Sequence, residues 1–438
     1  MFGRGDARAA PASSQWVGHA PATQPFHNQA RKSFLLVRIS YLKIAIVAGL
    51  ARAQRSLASA SSPMNSRRPT ATRCLVLGLG GMGSAALYHL ARRGAAPLGV
   101  EQFAVGHALG SSHGESRVFR TLYHDALYTR LAAAALPLWR ELEAASGETL
   151  LTLNGMISYA RETNPQFHRY LEVFGGSGGA CTLLRPAELS ARFPALRIPA
   201  DALACFTPVA GFLDAGRCVR AHIAAGRAAG AVVREETPVR EIDVGGERPV
   251  VQTEAGAYVC ERLIVTSGPW AATLLRDLRL PLQVTRQQKF YFRPACPSEY
   301  SPARIPVYTD YDTGFYGFPA QGAGLKVADD GLGEVTTAET VDRRLDLAQR
   351  DRLQAWLGAL MPGSALTYLD GATCLYTMTP DKDFIIDRHP RNPNVIIAAG
   401  FSGHGFKFTT LIGSILADLA LLGATPHPLE RFRLDRFG

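Results

Sequence analysis

The stretch Cys74 to Glu101, CLVLGLGGMGSAALYHLARRGAAPLGVE, decides the fold. It opens with an apolar run, Cys74 to Leu77, short enough for a fully buried strand. The turn Gly78-Leu79-Gly80-Gly81-Met82-Gly83 follows and fits G-x-G-x-x-G. Good helix formers then run from Ser84 to Arg93, Gly94 stops them, and a second short strand ends at Val100. The glycines serve different ends: Gly78 allows the tight turn, Gly80 lets the backbone approach a pyrophosphate, and Gly83 permits close helix–strand packing. The helix N-terminus offers unpaired N–H groups and a positive dipole end to phosphates. Glu101, 23 residues after Gly78, stands where an acid accepts hydrogen bonds from ribose hydroxyls. Strand, turn, helix and acid together predict a dinucleotide site.

Charge narrows the class. The chain of 438 residues carries a formal net charge of +10. Residues 1–73 hold eleven Lys and Arg against a single acid, Asp6, so the whole excess lies there and the remaining body is balanced at 36 against 36. A basic nucleic-acid footprint on the folded body is thereby excluded. Residues 1–73 read as a basic, disordered leader, with a targeting segment as the other reading; Met64 would make a natural beginning. Phe34 to Leu50 is apolar but broken by Arg38 and Lys43, which argues against a membrane span. Seven cysteines lie at least 13 residues apart without a C-x-x-C, and the histidines form no ligand-spaced cluster. Neither a disulfide framework nor a metal site is expected, and a cytoplasmic location follows.

Downstream of Glu101, Gly110-Ser111-Ser112-His113-Gly114 forms a polar loop, and Arg117 and Arg120, spaced i,i+3, would share a face on a helical turn. Leu127 to Ala145 reads as a helix that Pro137 should kink. Residues 156–207 lack one clear period, Leu263 to Val265 is a buried strand, and 284–292 and 306–327 alternate aromatic and polar residues as in an antiparallel sheet. Near the end, Val395 to Ala399 is a buried strand followed by Gly400-Phe401-Ser402-Gly403-His404-Gly405-Phe406-Lys407. A helix then carries Phe408, Leu411, Ile412, Ile415, Leu416 and Leu419 on one stripe. One dinucleotide rarely needs two glycine-rich helix N-termini. A flavin does, because reduction places negative charge at N1 of its ring, where a helix N-terminus is stabilising. The cofactor expected is therefore FAD rather than a nicotinamide.

With these motifs in view, residues 74 to about 425 resemble the monomeric sarcosine oxidase and N-methyl-L-tryptophan oxidase family of FAD-dependent amine oxidases. The likeness is carried by GLGGMG with Glu101, SSHGESRVFR (111–120), TSGPW (266–270), YGFPAQGAGLKV (316–327), CLYTMTPDKDFIIDRHP (374–390) and AAGFSGHGFKF (398–408). The resemblance implies FAD bound covalently through Cys374, which taken alone would pass for an inert core thiol. It implies catalytic roles for Lys326, Arg117 and His113, with Lys326 over the flavin activating oxygen. Arg120 and Lys407 would hold the substrate carboxylate, and Tyr316 and Tyr376 would line the cavity. Gly78, Gly80, Gly83, Glu101, Ser112, Arg117, Cys374, Gly403, Gly405 and Lys407 would contact the cofactor. Four residues after Lys326, where family members often carry a histidine, this chain has Asp330; a carboxylate pointing inward would favour a larger or more basic amine than sarcosine.

The fold expected is α/β: a discontinuous Rossmann-type FAD domain (74–155, 208–280 and 374–425) carrying a substrate domain (156–207 and 281–373) on a largely antiparallel sheet. The implied reaction is oxidation of a secondary amino acid, N-methyl or cyclic, with hydride transfer to flavin N5 and reoxidation by O2 to H2O2. The partners are the small-molecule amine and O2, with no nucleic acid and no membrane, and the enzyme is expected as a monomer. Two rivals stay open: a dehydrogenase that passes electrons to a partner protein, and a flavin-binding subunit without catalysis.

Overall fold

In a computed structural model the structure describes residues 69–438 apart from 122, 124, 177–180, 323 and 332. Most of the basic leader, with the apolar stretch Phe34 to Leu50 and Met64, therefore falls outside the described residues. The first strand, Thr70–Leu77, begins four residues before the expected boundary at Cys74, because Thr70 to Thr72 already pair in parallel with Tyr258 to Cys260. It lies between Leu98–Val100 and Gly256–Val265 in an eight-stranded sheet, to which Asn392–Ala399 adds in parallel alongside Gly256–Val265. Parallel strands buried on both faces require continuous apolar runs. Cys74 to Val76, Leu263, Ile264 and Val395 to Ile397 are accordingly all 0% exposed.

The helix Gly81–Arg92 is buried from Gly81 through Ala91, so it is an interior helix rather than an amphipathic surface one. Against it lies the C-terminal helix Thr409–Leu421. A Cβ on Gly413 would stand 2.5 Å from Ala85, so glycine sets how closely these backbones approach. Buried His89 hydrogen-bonds Thr410 Oγ1 at 3.1 Å across this contact. Burial, with Arg92 and Arg93 nearby, pushes its pKa down to about 3, so the staple is a neutral imidazole. The two glycine-rich helix starts are thereby brought side by side.

The second sheet has nine strands in the described residues, antiparallel apart from Val307–Asp310 against Met156–Arg161. Strand alternation divides its two faces. Phe290, Phe292, Leu325 and Val327 point into a core with Leu353 and Leu357 of the helix Leu347–Leu360. Residues of the opposite parity stand on the other face: Gln287, Lys289 and Tyr291 on the strand Gln283–Arg293, Lys326 opposite Tyr291, and Cys374 opposite Gln287.

One local expectation is corrected. Arg117 and Arg120 do not sit on a helical turn; Arg117–Arg120 is a strand paired antiparallel with Ala210–Leu213 in a three-stranded sheet. The β-branched and aromatic pair Val118-Phe119 favours the extended form, and Phe119 is fully buried. The helix Ala126–Ser146 runs through Pro137 and starts on Asp125, whose carboxylate accepts from the Leu127 amide at 2.7 Å. Among the described residues no helix is long and apolar enough to cross a membrane.

Candidate active site

Two neighbouring cavities account for most of the residues singled out in the sequence. Gly78, Gly80, Glu101, Ser112, Gly403 and Gly405 line the first, beside Thr266 to Trp270. Gly78 has φ +85°, and a Cβ there would lie 2.7 Å from the Thr266 carbonyl oxygen. A Cβ on Gly83 would overlap the Gly78 carbonyl oxygen, so Gly83 serves packing and does not line the cleft. Gly80 differs: its nearest neighbour would be Ser112 Oγ at 3.5 Å, which leaves its backbone open to a ligand. The glycines thus separate in space: Gly78 and Gly80 line the cleft, and Gly83 packs behind it.

Glu101 is 4% exposed. Its Oε2 accepts from the Leu79 amide at 2.7 Å and its Oε1 from the Phe103 amide at 3.1 Å, so the acid also holds the glycine turn in place. A carboxylate has about four acceptor sites, which leaves capacity for ribose hydroxyls. Ser112 Oγ accepts from the Gly81 amide at 3.0 Å and so serves the helix N-terminus. Thr266 Oγ1, which carried no motif of its own beyond TSGPW, ties the turn to the neighbouring strand by donating to the Leu77 and Gly78 carbonyls at 3.0 and 2.7 Å. Ser267 Oγ, Thr377 Oγ1 and Thr409 Oγ1 belong to cleft-lining residues, are buried, and have no partner among the described residues. Buried hydroxyls without partners are costly. A polar ligand threaded along this cleft would supply what they lack, and the cleft therefore fits FAD.

The second cavity is lined by Arg117, Arg120, Tyr316, Lys326, Asp330 and Lys407, and it shares Arg117, Tyr376, Gly403 and Phe406 with the first. Lys407 belongs to this cavity rather than to the dinucleotide cleft. Its backbone is anchored where Trp139 Nε1 donates to its carbonyl at 2.9 Å, and its Nζ donates to Tyr123 Oη and the His404 carbonyl, both at 2.7 Å. One ammonium proton is left for a ligand. Burial pushes its pKa well down, Arg120 adds to that, and Asp330 opposes it. Arg120 reaches the same space from a different segment, donating to Tyr311 Oη at 3.2 Å with its guanidinium 5.0 Å from the Tyr123 ring centre. Two cations facing an open space with donors to spare form an anion site.

Lys326 is 4% exposed; its Nζ donates to the Ser116 carbonyl at 2.6 Å and lies 4.5 Å from the Phe318 ring centre. Burial, Arg117 and Lys289 push its pKa well below the usual lysine value. Arg117 donates to the Ser111 and Ser116 carbonyls at 2.8 and 3.0 Å, which fixes it at the junction of the cavities.

His113 and Cys374 line neither cavity. His113 is buried with Nε2 unpartnered among the described residues. Burial, then Lys289 and Arg117, lowers its pKa to about 3. Cys374 is 8% exposed, and the next residues, Leu375 and Tyr376, do line the first cleft. Sequence reasoning missed Lys289. It is 3% exposed, its Nζ lies 3.5 Å from His113 Nδ1, and it packs against Gly114, where a Cβ would collide with it. The signal was present in RQQKFYF, where strand alternation puts Lys289 on the face opposite Phe290 and Phe292.

Comparison with known proteins agrees with this geometry. Residues 73–419 match the FAD dependent oxidoreductase family. The chain is similar to the monomeric sarcosine oxidase of Streptomyces avermitilis, 36% identical over 373 residues that cover 82% of this chain and 96% of the relative. It is 30% identical over 375 residues to the N-methyl-L-tryptophan oxidase of Salmonella newport, covering 83% of this chain and 98% of the relative. The solved glycine oxidase of Geobacillus kaustophilus superposes with a TM-score of 0.73 at 23% identity, over 83% of this chain and 98% of that one, which shows a shared fold. The chain belongs to the FAD dependent oxidoreductase family, in the group that includes the monomeric sarcosine oxidases and N-methyl-L-tryptophan oxidases.

Proposed function

We propose that the chain oxidises the C–N bond of a secondary amino acid, N-methyl or cyclic, whose carboxylate is held by Arg120 and Lys407. The observation that carries this reading is the convergence of those two side chains in a cavity that opens onto the dinucleotide cleft at Arg117, Tyr376, Gly403 and Phe406. Bound FAD would supply the two-electron acceptor, taking hydride at N5 and returning the electrons to O2 as H2O2. The residues do the rest. Arg120 and Lys407 fix the carboxylate and so aim the amine-bearing carbon, which converts binding into orientation. Tyr316, Phe318 and Tyr376 wall the space and exclude water. Lys326 is assigned to the oxygen side, and His113 and Arg117 to the ring edge.

Covalent attachment through Cys374 is part of the proposal, supported by its place on the strand Thr367–Met378 immediately before three cleft-lining residues, Leu375, Tyr376 and Thr377. So is the division into an FAD domain (74–155, 208–280 and 374–425) and a substrate domain (156–207 and 281–373). We read the enzyme as a cytoplasmic monomer. Anaerobic mixing with sarcosine, N-methyl aromatic amino acids, pipecolate and proline tests the function: one of them should bleach the flavin absorbance. Equal bleaching by the matching amine without a carboxylate would overturn the Arg120–Lys407 assignment. A yellow protein that no secondary amine reduces would be a flavin-binding subunit instead, and H2O2 formed per turnover separates an oxidase from a dehydrogenase.

A further inference from the structure

Among the described residues, Asp330 is the one carboxylate that lines the cavity holding Arg120 and Lys407. Its backbone is fixed, with its amide donating to the Gly314 carbonyl at 3.0 Å just past the end of the strand Gly324–Asp329. Its side chain takes part in none of the hydrogen bonds or ion pairs within 4.0 Å found among the described residues. Desolvation at the cavity wall and repulsion from Asp329 raise its pKa, while Arg120, Lys407 and Lys382 lower it; the residue as a whole remains solvent-exposed at the edge of the cavity. A cavity built for an amino-acid carboxylate alone gains nothing from an anion placed beside its two cations, because that anion repels the ligand it is meant to hold. The arrangement suits a ligand that answers all three charges.

We infer that the substrate carries a second cationic group, an ammonium or guanidinium on its side chain, that pairs with Asp330 while Arg120 and Lys407 hold its carboxylate. This rests on the proposed carboxylate site and names the substrate class it serves. Val118, Met156 and Phe406 supply apolar wall along the same cavity, which suits the methylene stem of such a side chain.

The test compares isosteres on the holoenzyme by rapid anaerobic mixing, with the dissociation constant of each N-methyl amino acid read from the concentration dependence of the flavin-bleaching rate and that of unreactive hexanoate from the perturbation of flavin absorbance. Nα-methyl-L-lysine and N-methyl-L-norleucine differ essentially by the terminal ammonium. The wild type should bind the lysine derivative at least about tenfold more tightly. Asp330→Asn should abolish that preference, weakening the lysine derivative while leaving norleucine and plain hexanoate unchanged or tighter. Equal or tighter binding of the norleucine compound by the wild type overturns the inference. So does Asp330→Asn weakening all three ligands alike, since Asp330 would then merely hold Arg120 in position. Arg120→Met reports on the underlying reading separately: hexanoate binding that ignores this change removes the carboxylate site, while the lysine–norleucine comparison still reports on Asp330.

Discussion

Replacing Lys289 with methionine should make the protein more stable, and the gain should depend on pH. The side chain is buried, and the acid acting on it is the solvent-exposed Glu115 rather than a paired carboxylate. Burial, followed by repulsion from Arg117, pushes its pKa from 10.5 down to about 8. A fall of that size corresponds to about 3 kcal/mol of destabilisation by the charged amine. Because the folded value lies below the unfolded one, the penalty is complete below pH 8 and disappears as pH rises toward 10.5. Methionine keeps the unbranched apolar stem, one atom shorter, and removes the charge. Urea unfolding should show Lys289→Met more stable by about 3 kcal/mol at pH 7, and the gap should narrow by about 1 kcal/mol at pH 9. Loss of the 3.5 Å contact to His113 subtracts little, since that contact is at the limit of a hydrogen bond. A variant less stable at pH 7, or a gap that ignores pH, would show that the ammonium is compensated and refute the argument. A cation retained at such a cost has a use if negative charge develops beside it. The same substitution should therefore lower the reduction potential of the bound flavin, which a purely structural lysine would leave alone.

Other outcomes can be checked with single substitutions. Acid precipitation should leave the yellow colour in the pellet for the wild type and in the supernatant for Cys374→Ser; free FAD from the unmodified protein would end the covalent assignment. Lys326→Met should slow reoxidation of the reduced enzyme by roughly 10²–10³-fold and change anaerobic reduction by substrate much less, as expected for removal of one preorganised donor. Rapid mixing of each half-reaction separates the two, and slow reduction with normal reoxidation would move Lys326 to the substrate side. Gly83→Ala should cost about 3 kcal/mol of stability or more, because the new methyl overlaps the Gly78 carbonyl, and soluble yield should fall with it. Gly80→Ala should fold normally and lose FAD content instead, since nothing but Ser112 stands near the added atom.

How far the sequence could be read depends on the distance over which each feature is determined. The turn at Gly78 to Gly83 is set by local sterics and by one neighbouring strand, so its glycines separate into packing and ligand roles much as the motif implies. The second helix start, at Gly403 and Gly405, was equally visible, because both glycines face bulky aromatic rings, Tyr376 and Phe401, drawn from nearby segments of the chain. Arg117 and Arg120 were misplaced on a helical turn because four residues of i,i+3 spacing cannot reveal a partner strand 90 residues away at Ala210–Leu213. They still reach one cavity, Arg117 at its junction with the dinucleotide cleft and Arg120 beside Lys407.

Lys289 shows the harder limit. In RQQKFYF a lone lysine at the start of an aromatic run, after two glutamines, reads as an edge-strand charge facing water. Only the pairing of Gln283–Arg293 with Gly324–Asp329 on one side and Thr367–Met378 on the other makes that strand central and its second face interior. The same pairing aligns Lys326, Lys289 and Cys374 across one sheet face from three strands lying far apart in the chain. Spacing along the sequence carries no trace of that line. It exists because the period of two sends Phe290 and Phe292 into the apolar core beneath, and the residues of opposite parity, Lys289 and Tyr291, are thereby committed to the other face. Burial of the phenylalanines therefore holds the buried amines in place, and a one-residue register slip that turned Lys289 into the core would also drive both phenyl rings onto the face the amines now occupy.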